Sequence, residues 1–63
     1  MDFEEYKAEL TRLLEEGEKK GESPFDRTTP AGKLMVQAAL EDRKVISMEQ
    51  FCQLDEMRRR WRR

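Results

Sequence analysis

The stretch TPAGKLMVQAALEDRKVISMEQF, residues 29–51, decides the fold predicted for this chain. It carries two start signals for helices. Thr29 before Pro30 is typical of an N-cap residue followed by the first helical position, and Ser47 with Gln50 forms a capping box. Only a short connection separates the first of these helices from the second. The stretch therefore predicts two consecutive helices that fold back on each other as a tight hairpin.

A longer helix is predicted upstream, over about residues 2–20. Its apolar residues recur every three or four positions, so they share one face of about 100°. The members of this face are Phe3, Tyr6, Leu10, Leu13 and Leu14. Asp2 is expected to cap the start of the helix, and Gly21 to end it. The linker that follows, residues 21–29, contains Phe25, which we expect to plug the core.

The second and third predicted helices differ in how much apolar surface they carry. The second, about residues 30–43, is apolar over about two thirds of its circumference, which favours a central position or a second face offered to another chain. The third, about residues 47–61, has a single inner stripe. The residues of this stripe are Met48, Phe51, Leu54, Met57 and Trp61. The sequence thus predicts an all-α fold, a small three-helix arrangement that forms a single domain over residues 1–63.

Length and composition limit what such a domain can do alone. A chain of 63 residues lies near the lower limit for burying enough apolar surface to fold unaided, so a protein partner or self-association is expected. Cys52 is the only cysteine, which excludes an internal disulfide and suits a reducing compartment; we expect its side chain to be partly buried. We find no secretory signal and no apolar run of membrane-spanning length. A cytoplasmic protein without membrane contact is therefore expected.

Charge is distributed very unevenly along the chain. Residues 1–22 contain eight acidic and four basic side chains, whereas residues 58–63, RRRWRR, contain five arginines. The formal net charge of −1 hides this separation. Such asymmetry indicates a charged partner or a contact within the molecule.

The residue types argue against catalysis. The chain contains no histidine, so histidine acid–base chemistry and imidazole metal sites are excluded. The acidic residues of the first predicted helix spread around its outer face, as on a solvated surface. Gly32 and Lys33 follow a helix start, where free amides can hold an anion, but the glycines of a phosphate-binding loop are missing. We expect a non-enzymatic protein without a cofactor or metal.

Two stretches resemble segments of known families. Residues 26–35, DRTTPAGKLM, resemble the segment of serine recombinases that leads into their dimerisation helix, but the catalytic domain of that family has no counterpart in this chain. Residues 40–57, with their Ile-Ser-x-x-Gln-Phe core, are similar to the hairpin of short C-terminal oligomerisation (SHOCT-type) domains. The glycine that those domains carry near the position of Lys44 is missing. No functional residue is carried over from either family.

Function is therefore predicted from surfaces. The first hypothesis is a protein–protein interaction module, a regulator or inhibitor of a larger assembly, which uses the second face of the middle helix and the basic tail. The predicted partner-binding residues are Met35, Val36, Ala39, Arg58, Arg59, Trp61 and Arg62.

Three alternatives stay open at this point. The tail could bind nucleic acid, with arginines on phosphates and the tryptophan stacked on a base. It could instead clasp the acidic face of the first helix and have no partner. The chain could also form a homodimer through the middle helices.

Overall fold

A computed structural model describes residues 1–61 as three α-helices: α1 (Phe3–Lys20), α2 (Pro30–Leu40) and α3 (Met48–Trp61). Helix α1 packs against both other helices, and α2 and α3 contact each other. No strand occurs in residues 1–61. The predicted all-α arrangement of three helices, with the second and third in contact, is confirmed.

The helix starts are built as the sequence predicts. The Asp2 carboxylate accepts a hydrogen bond from the backbone N–H of Glu5 at 2.8 Å, and the Glu5 carboxylate accepts one from the N–H of Asp2 at 2.8 Å. Ser47 and Gln50 make the same reciprocal pair at 3.1 Å in both directions. The Thr29 hydroxyl accepts from the N–H of the third residue of α2 at 3.2 Å. These caps satisfy amide groups that a helix start leaves without partners.

Helix α2 ends at Leu40, three positions before the predicted end. The N–H groups of Glu41 and Asp42 both donate to the carbonyl oxygen of Gln37, at 2.8 and 3.2 Å, so the regular hydrogen-bond pattern stops there. The carbonyl oxygen of Asp42 then accepts from the N–H groups of the residues at 45 and 46. This local turn bends the chain toward α3.

The core lies along the inner face of α1 and is completed by α2 and α3. Its buried residues are Tyr6, Leu10, Leu14, Ala31, Leu34, Met35, Ala38, Ile46 and Leu54. The largest fully buried side chains are Tyr6, Leu10 and Leu54, two from α1 and one from α3. Burial of these groups is the main favourable contribution to folding, because apolar surface leaves water.

The linker packs differently from the prediction. Phe25 is 44 % exposed, and the buried residue beside it is Pro24. The prediction that Phe25 plugs the core is wrong, because the face of its ring is covered by the Arg58 guanidinium, 4.4 Å from the ring centroid. Gly32 is also buried, with the linker backbone at Asp26 lying directly against it.

The helix contacts define two ends of the bundle. At the hairpin end, which comprises the start of α1 and residues 40–48, the Tyr6 hydroxyl donates to the Asp42 carboxylate. At the tail end, which comprises the end of α1, the linker and the end of α3, the indole N–H of Trp61 donates to Glu18 at 3.2 Å. The candidate surfaces of the molecule lie at these ends.

Candidate functional site

The most exposed apolar side chains lie around the connection between α2 and α3. Leu40 is 67 % exposed, Val45 50 % and Met48 78 %. Ala39, one residue before Leu40, is exposed as well. We call these four residues the hairpin patch. They are close in the chain, at the end of α2, in the connection and at the start of α3. Contiguous exposed apolar surface is a common mark of a protein contact surface.

Charged side chains of both signs accompany the hairpin patch in sequence. Glu41, Arg43, Lys44 and Glu49 are all exposed. Asp42 lies among them and pairs with the α-amino group of Met1, so the surroundings of the patch hold three acidic and three basic groups and carry no net charge. Such a mixed rim does not favour a polyanion, and it resembles the polar rim that surrounds the apolar centre of protein interfaces.

A partly buried hydrogen bond holds the connection in place. Tyr6 is fully buried and its hydroxyl donates to the Asp42 carboxylate, whose second neighbour is the α-amino group of Met1 at 3.7 Å. Burial, followed by the interaction with Asp42, raises the pKa of Tyr6 to about 12. The same hydrogen bond lowers the pKa of the Asp42 carboxyl group. Helix α1 therefore positions the segment that carries the hairpin patch.

The first arginine of the tail is part of the fold. The side chain of Arg58 is only 15 % exposed. Its Nη1 donates to the carbonyl oxygen of Pro24 at 3.2 Å, its Nη2 pairs with Asp55, and the guanidinium covers the ring of Phe25. Within the described part of the chain, its buried Nε–H has no hydrogen-bond partner. Arg58 thus fastens α3 to the linker.

The next two arginines remain at the surface. Arg59 is 72 % exposed and pairs with Asp55 at 2.9 Å, and Arg60 is 78 % exposed and pairs with Glu56 at 3.4 Å. Both partners lie on α3 itself, one turn earlier. Surface pairs of this kind contribute little to stability, so both guanidinium groups stay available to a partner.

Comparison with known proteins gives no significant match: no family model, curated protein or solved structure aligns with the chain.

The predicted partner-binding residues of α2, which are Met35, Val36 and Ala39, differ in how exposed they are. Met35 is 2 % exposed and belongs to the core, so its assignment to a docking face is wrong. Val36 is half-buried, and Ala39 is exposed. The reason is that α2 packs against both other helices, which leaves little of its circumference open. The predicted residue that remains exposed, Ala39, lies near the C-terminal end of α2.

The residues predicted in the tail do not form one surface either. Arg58 and Trp61 make contacts within the molecule, whereas Arg59 is exposed. Arg62 lies outside the described residues. Trp61 contacts the acidic face of α1 through its hydrogen bond to Glu18. The arginines from 58 to 60 instead pair with acidic residues of α3.

Sequence reasoning missed most of the hairpin patch. Met48 falls on the predicted inner stripe of its helix, and Leu40 belongs to the broad apolar surface of the second helix, which was predicted to be central or to face another chain. Each lies at the end of a helix, where neighbouring elements cover a side chain on fewer sides. Position at a helix end was the signal that could have marked them. Cys52, expected to be partly buried, is exposed.

Two further observations bear on other functions. Within residues 1–61, acidic and thiol side chains do not gather in groups of three that could hold a metal ion. None of the described helices combines the length and apolar character needed to cross a membrane.

Proposed function

We propose that this chain is a small protein-interaction module that regulates or inhibits a larger assembly, and that it docks through the hairpin patch. The observation that carries the proposal is the exposure of Leu40, Val45 and Met48, at 67 %, 50 % and 78 %. These side chains stand out in a chain in which 43 % of residues are charged. A partner that covers them removes apolar surface from water, which favours association.

The size of the patch indicates the kind of complex. Full burial of an aliphatic or Met side chain contributes roughly 1.5–3 kcal/mol, so three partly exposed side chains contribute about 3–5 kcal/mol. A micromolar complex requires about 8 kcal/mol, and association also costs translational and rotational freedom. Val36, Ala39 and the charged rim must therefore add contacts. This arithmetic supports a transient, regulatory complex with a partner that presents an apolar groove and a polar rim.

The proposal is tested by affinity purification from cell extract with matched variants. The bait variant Leu40→Ser/Met48→Ser removes the apolar anchors, and the control Glu15→Ser/Arg27→Ser changes two exposed residues outside the patch and its rim. We expect proteins that the unchanged chain enriches to be lost with the first variant and retained with the second. Retention with both variants would contradict docking through the patch, provided that circular dichroism shows both variants folded.

A second copy of the chain is one possible occupant of the patch, and sedimentation velocity distinguishes it. If the partner is a second copy, the sedimentation coefficient rises with concentration for the unchanged chain and stays constant for Leu40→Ser/Met48→Ser. A constant value for both excludes the homodimer and leaves a different protein as partner.

Nucleic-acid binding is the alternative, and the exposure of Arg59 and Arg60 is what favours it. Against it stands the engagement of Arg58 and Trp61 in contacts within the molecule. Repeating the purification at low and high salt and after nuclease treatment separates the two functions, because phosphate contacts weaken steeply as salt rises.

A further inference from the structure

A cavity of about 240 Å³ opens at the tail end of the bundle, opposite the hairpin patch. Leu14, Pro24 and Ala31 are buried residues that line it, and Trp61 is half-buried at its edge. An apolar cavity of about 150 Å³ can hold a benzene molecule, and pockets for drug-sized ligands start at about 300 Å³. The cavity is therefore suited to a single small ring or one extended side chain.

Gly17 lies in the wall of this cavity, inside α1. Glycine in the interior of a helix is less favourable than alanine, because it loses more conformational freedom on folding. A Cβ at Gly17 would meet its nearest neighbours, all atoms of Glu22, at 3.7–3.8 Å, which is ordinary van der Waals contact. Packing thus does not require glycine at this position.

The side chains that line the opening include two carboxylates, and the basic side chains lie just outside this lining: Lys19 and Lys20 in the last turn of α1, and Arg58 on the carbonyl oxygen of Pro24. Glu18 and Glu22 both line the cavity, and none of the described residues that line it is basic. The Glu18 carboxylate is held by the indole N–H of Trp61 at 3.2 Å, which places an aromatic ring and a carboxylate side by side. Tryptophan is the ring that attracts cations most strongly.

We propose that this cavity binds a cationic group on a short apolar stem. The stem occupies the space beside Gly17, and the positive end lies between the Trp61 ring and the carboxylates of Glu18 and Glu22. Two sources share this chemistry, a free aralkylammonium ion and the side chain of a lysine or arginine in a peptide. The site lies at the other end of the bundle from the hairpin patch, so it stands independently of the proposed function.

The single tryptophan of the chain reports binding directly. Trp61 fluorescence and amide chemical shifts are followed during titration with benzylamine, which is a cation at neutral pH, and with benzyl alcohol, its neutral counterpart of similar shape. We expect a saturable response to benzylamine with an affinity about 5- to 10-fold above that for benzyl alcohol. Equal affinities, or no saturable response to the amine, would overturn the proposal.

Variants test the position and the charge of the site. Glu18→Gln/Glu22→Gln removes both charges but keeps a side-chain oxygen that accepts the hydrogen bond from Trp61. In this variant the affinities for benzylamine and benzyl alcohol should become about equal. Gly17→Leu fills the cavity and should abolish binding, whereas Ala8→Leu, an exposed position on the same helix, should leave it unchanged. If Gly17→Leu does not fold, Gly17→Ala replaces it and should weaken binding. Unchanged affinity in a folded Gly17 variant would place the amine elsewhere and refute the site.

The source of the cation is decided by a second ligand. Nα-acetyl-arginine methylamide presents the side chain as a peptide does. If it binds more tightly than benzylamine, the natural ligand is a basic side chain of a partner. If benzylamine binds more tightly, the ligand is a free amine. Both orders support a cation site, because both include saturable binding of benzylamine. Failure of benzylamine to bind refutes the site even if the arginine ligand binds.

Discussion

The guanidinium group of Arg58 covers the ring of Phe25, 4.4 Å from the ring centroid, and donates to the carbonyl oxygen of Pro24 at 3.2 Å. These contacts join the C-terminal half of α3 to the linker between α1 and α2. They also explain why an aromatic residue in the linker stays at the surface. The basic tail thus begins with a residue that belongs to the fold.

Arg58→Ala should destabilise the protein by about 1–3 kcal/mol, because it removes a cation–π contact, a hydrogen bond and a partly buried ion pair. Arg59→Ala is the matched control. Its side chain is 72 % exposed, so the change should cost at most about 0.5 kcal/mol. Urea denaturation followed by far-UV circular dichroism measures both. Equal effects of the two variants would contradict the structural role of Arg58.

The hydrogen bond from Tyr6 to Asp42 allows a second prediction. Tyr6→Phe keeps the buried ring and removes the hydroxyl, so the free energy of unfolding should fall by about 1–2 kcal/mol. Asp42→Asn keeps an acceptor for the hydroxyl and should cost less. A larger loss for Asp42→Asn than for Tyr6→Phe would show that the charge of Asp42 matters more than this hydrogen bond.

The stability that Tyr6 and Asp42 contribute should fall at both low and high pH. The pKa of Asp42 is lowered in the folded state, so its contribution is complete above about pH 4, its unfolded pKa, and is lost as pH falls further. The pKa of Tyr6 is raised to about 12, so its contribution is complete below about pH 10 and is lost as pH rises toward 12.

The stability difference between the unchanged chain and Tyr6→Phe isolates this pair from other titrating groups. Plotted against pH, it should be flat between about pH 5 and 9 and decline on both sides. A difference that is constant over the whole range would contradict the coupling.

Two helical glycines should respond oppositely to substitution by alanine. At Gly32 an added Cβ would lie 1.9 Å from the carbonyl oxygen of Asp26, so the linker backbone must move and the protein should lose about 3 kcal/mol or more. At Gly17 the nearest atoms are 3.7 Å away, so the gain in helix propensity should stabilise it by about 0.5–1 kcal/mol. Thermal unfolding of both variants compares them, and destabilisation of similar size at both positions would contradict these packing environments.

The arginines of the tail should contribute unequally to any affinity for nucleic acid. The guanidinium group of Arg58 already binds the carbonyl oxygen of Pro24 and the carboxylate of Asp55. Arg58→Ala should therefore leave the salt dependence of oligonucleotide binding unchanged. Arg59→Ala and Arg60→Ala should each reduce the slope of log affinity against log salt by about 1. Fluorescence anisotropy over a salt series measures the slopes. A reduced slope for Arg58→Ala would show that its contacts open on binding, and absence of binding would remove the nucleic-acid alternative.

Local signals predicted the helices because these signals act over a few residues. The caps at Asp2, Thr29 and Ser47 and the left-handed turn at Gly21 depend on short-range hydrogen bonds and on backbone geometry, and all are present. The end of α2 was placed too late. Its early end coincides with the local turn in which the N–H groups of Glu41 and Asp42 share the carbonyl oxygen of Gln37. The side chain of Asp42 in this turn accepts from Tyr6, 36 positions away in the chain.

The candidate surfaces were harder to predict, because the exposure of a side chain depends on residues far away in the chain. A helical wheel shows which residues share a face, but it does not show how far the neighbouring helices extend along that face. A helical wheel therefore does not show that Met35 lies in the core, or that Leu40 and Met48 lie at the surface. Arg58 was assigned to a binding tail because a run of arginines does not reveal that one of them meets Pro24 and Phe25.

The sequence by itself determined three helices, their start signals, the apolar face of α1 and the separation of charge along the chain. All of these follow from side-chain periodicity, capping and composition, which act locally. Only the tertiary structure decided which apolar residues stay exposed, which arginine is buried, and that a cavity remains beside Gly17. These features depend on the distances between residues far apart in the chain, which packing sets and no local pattern contains.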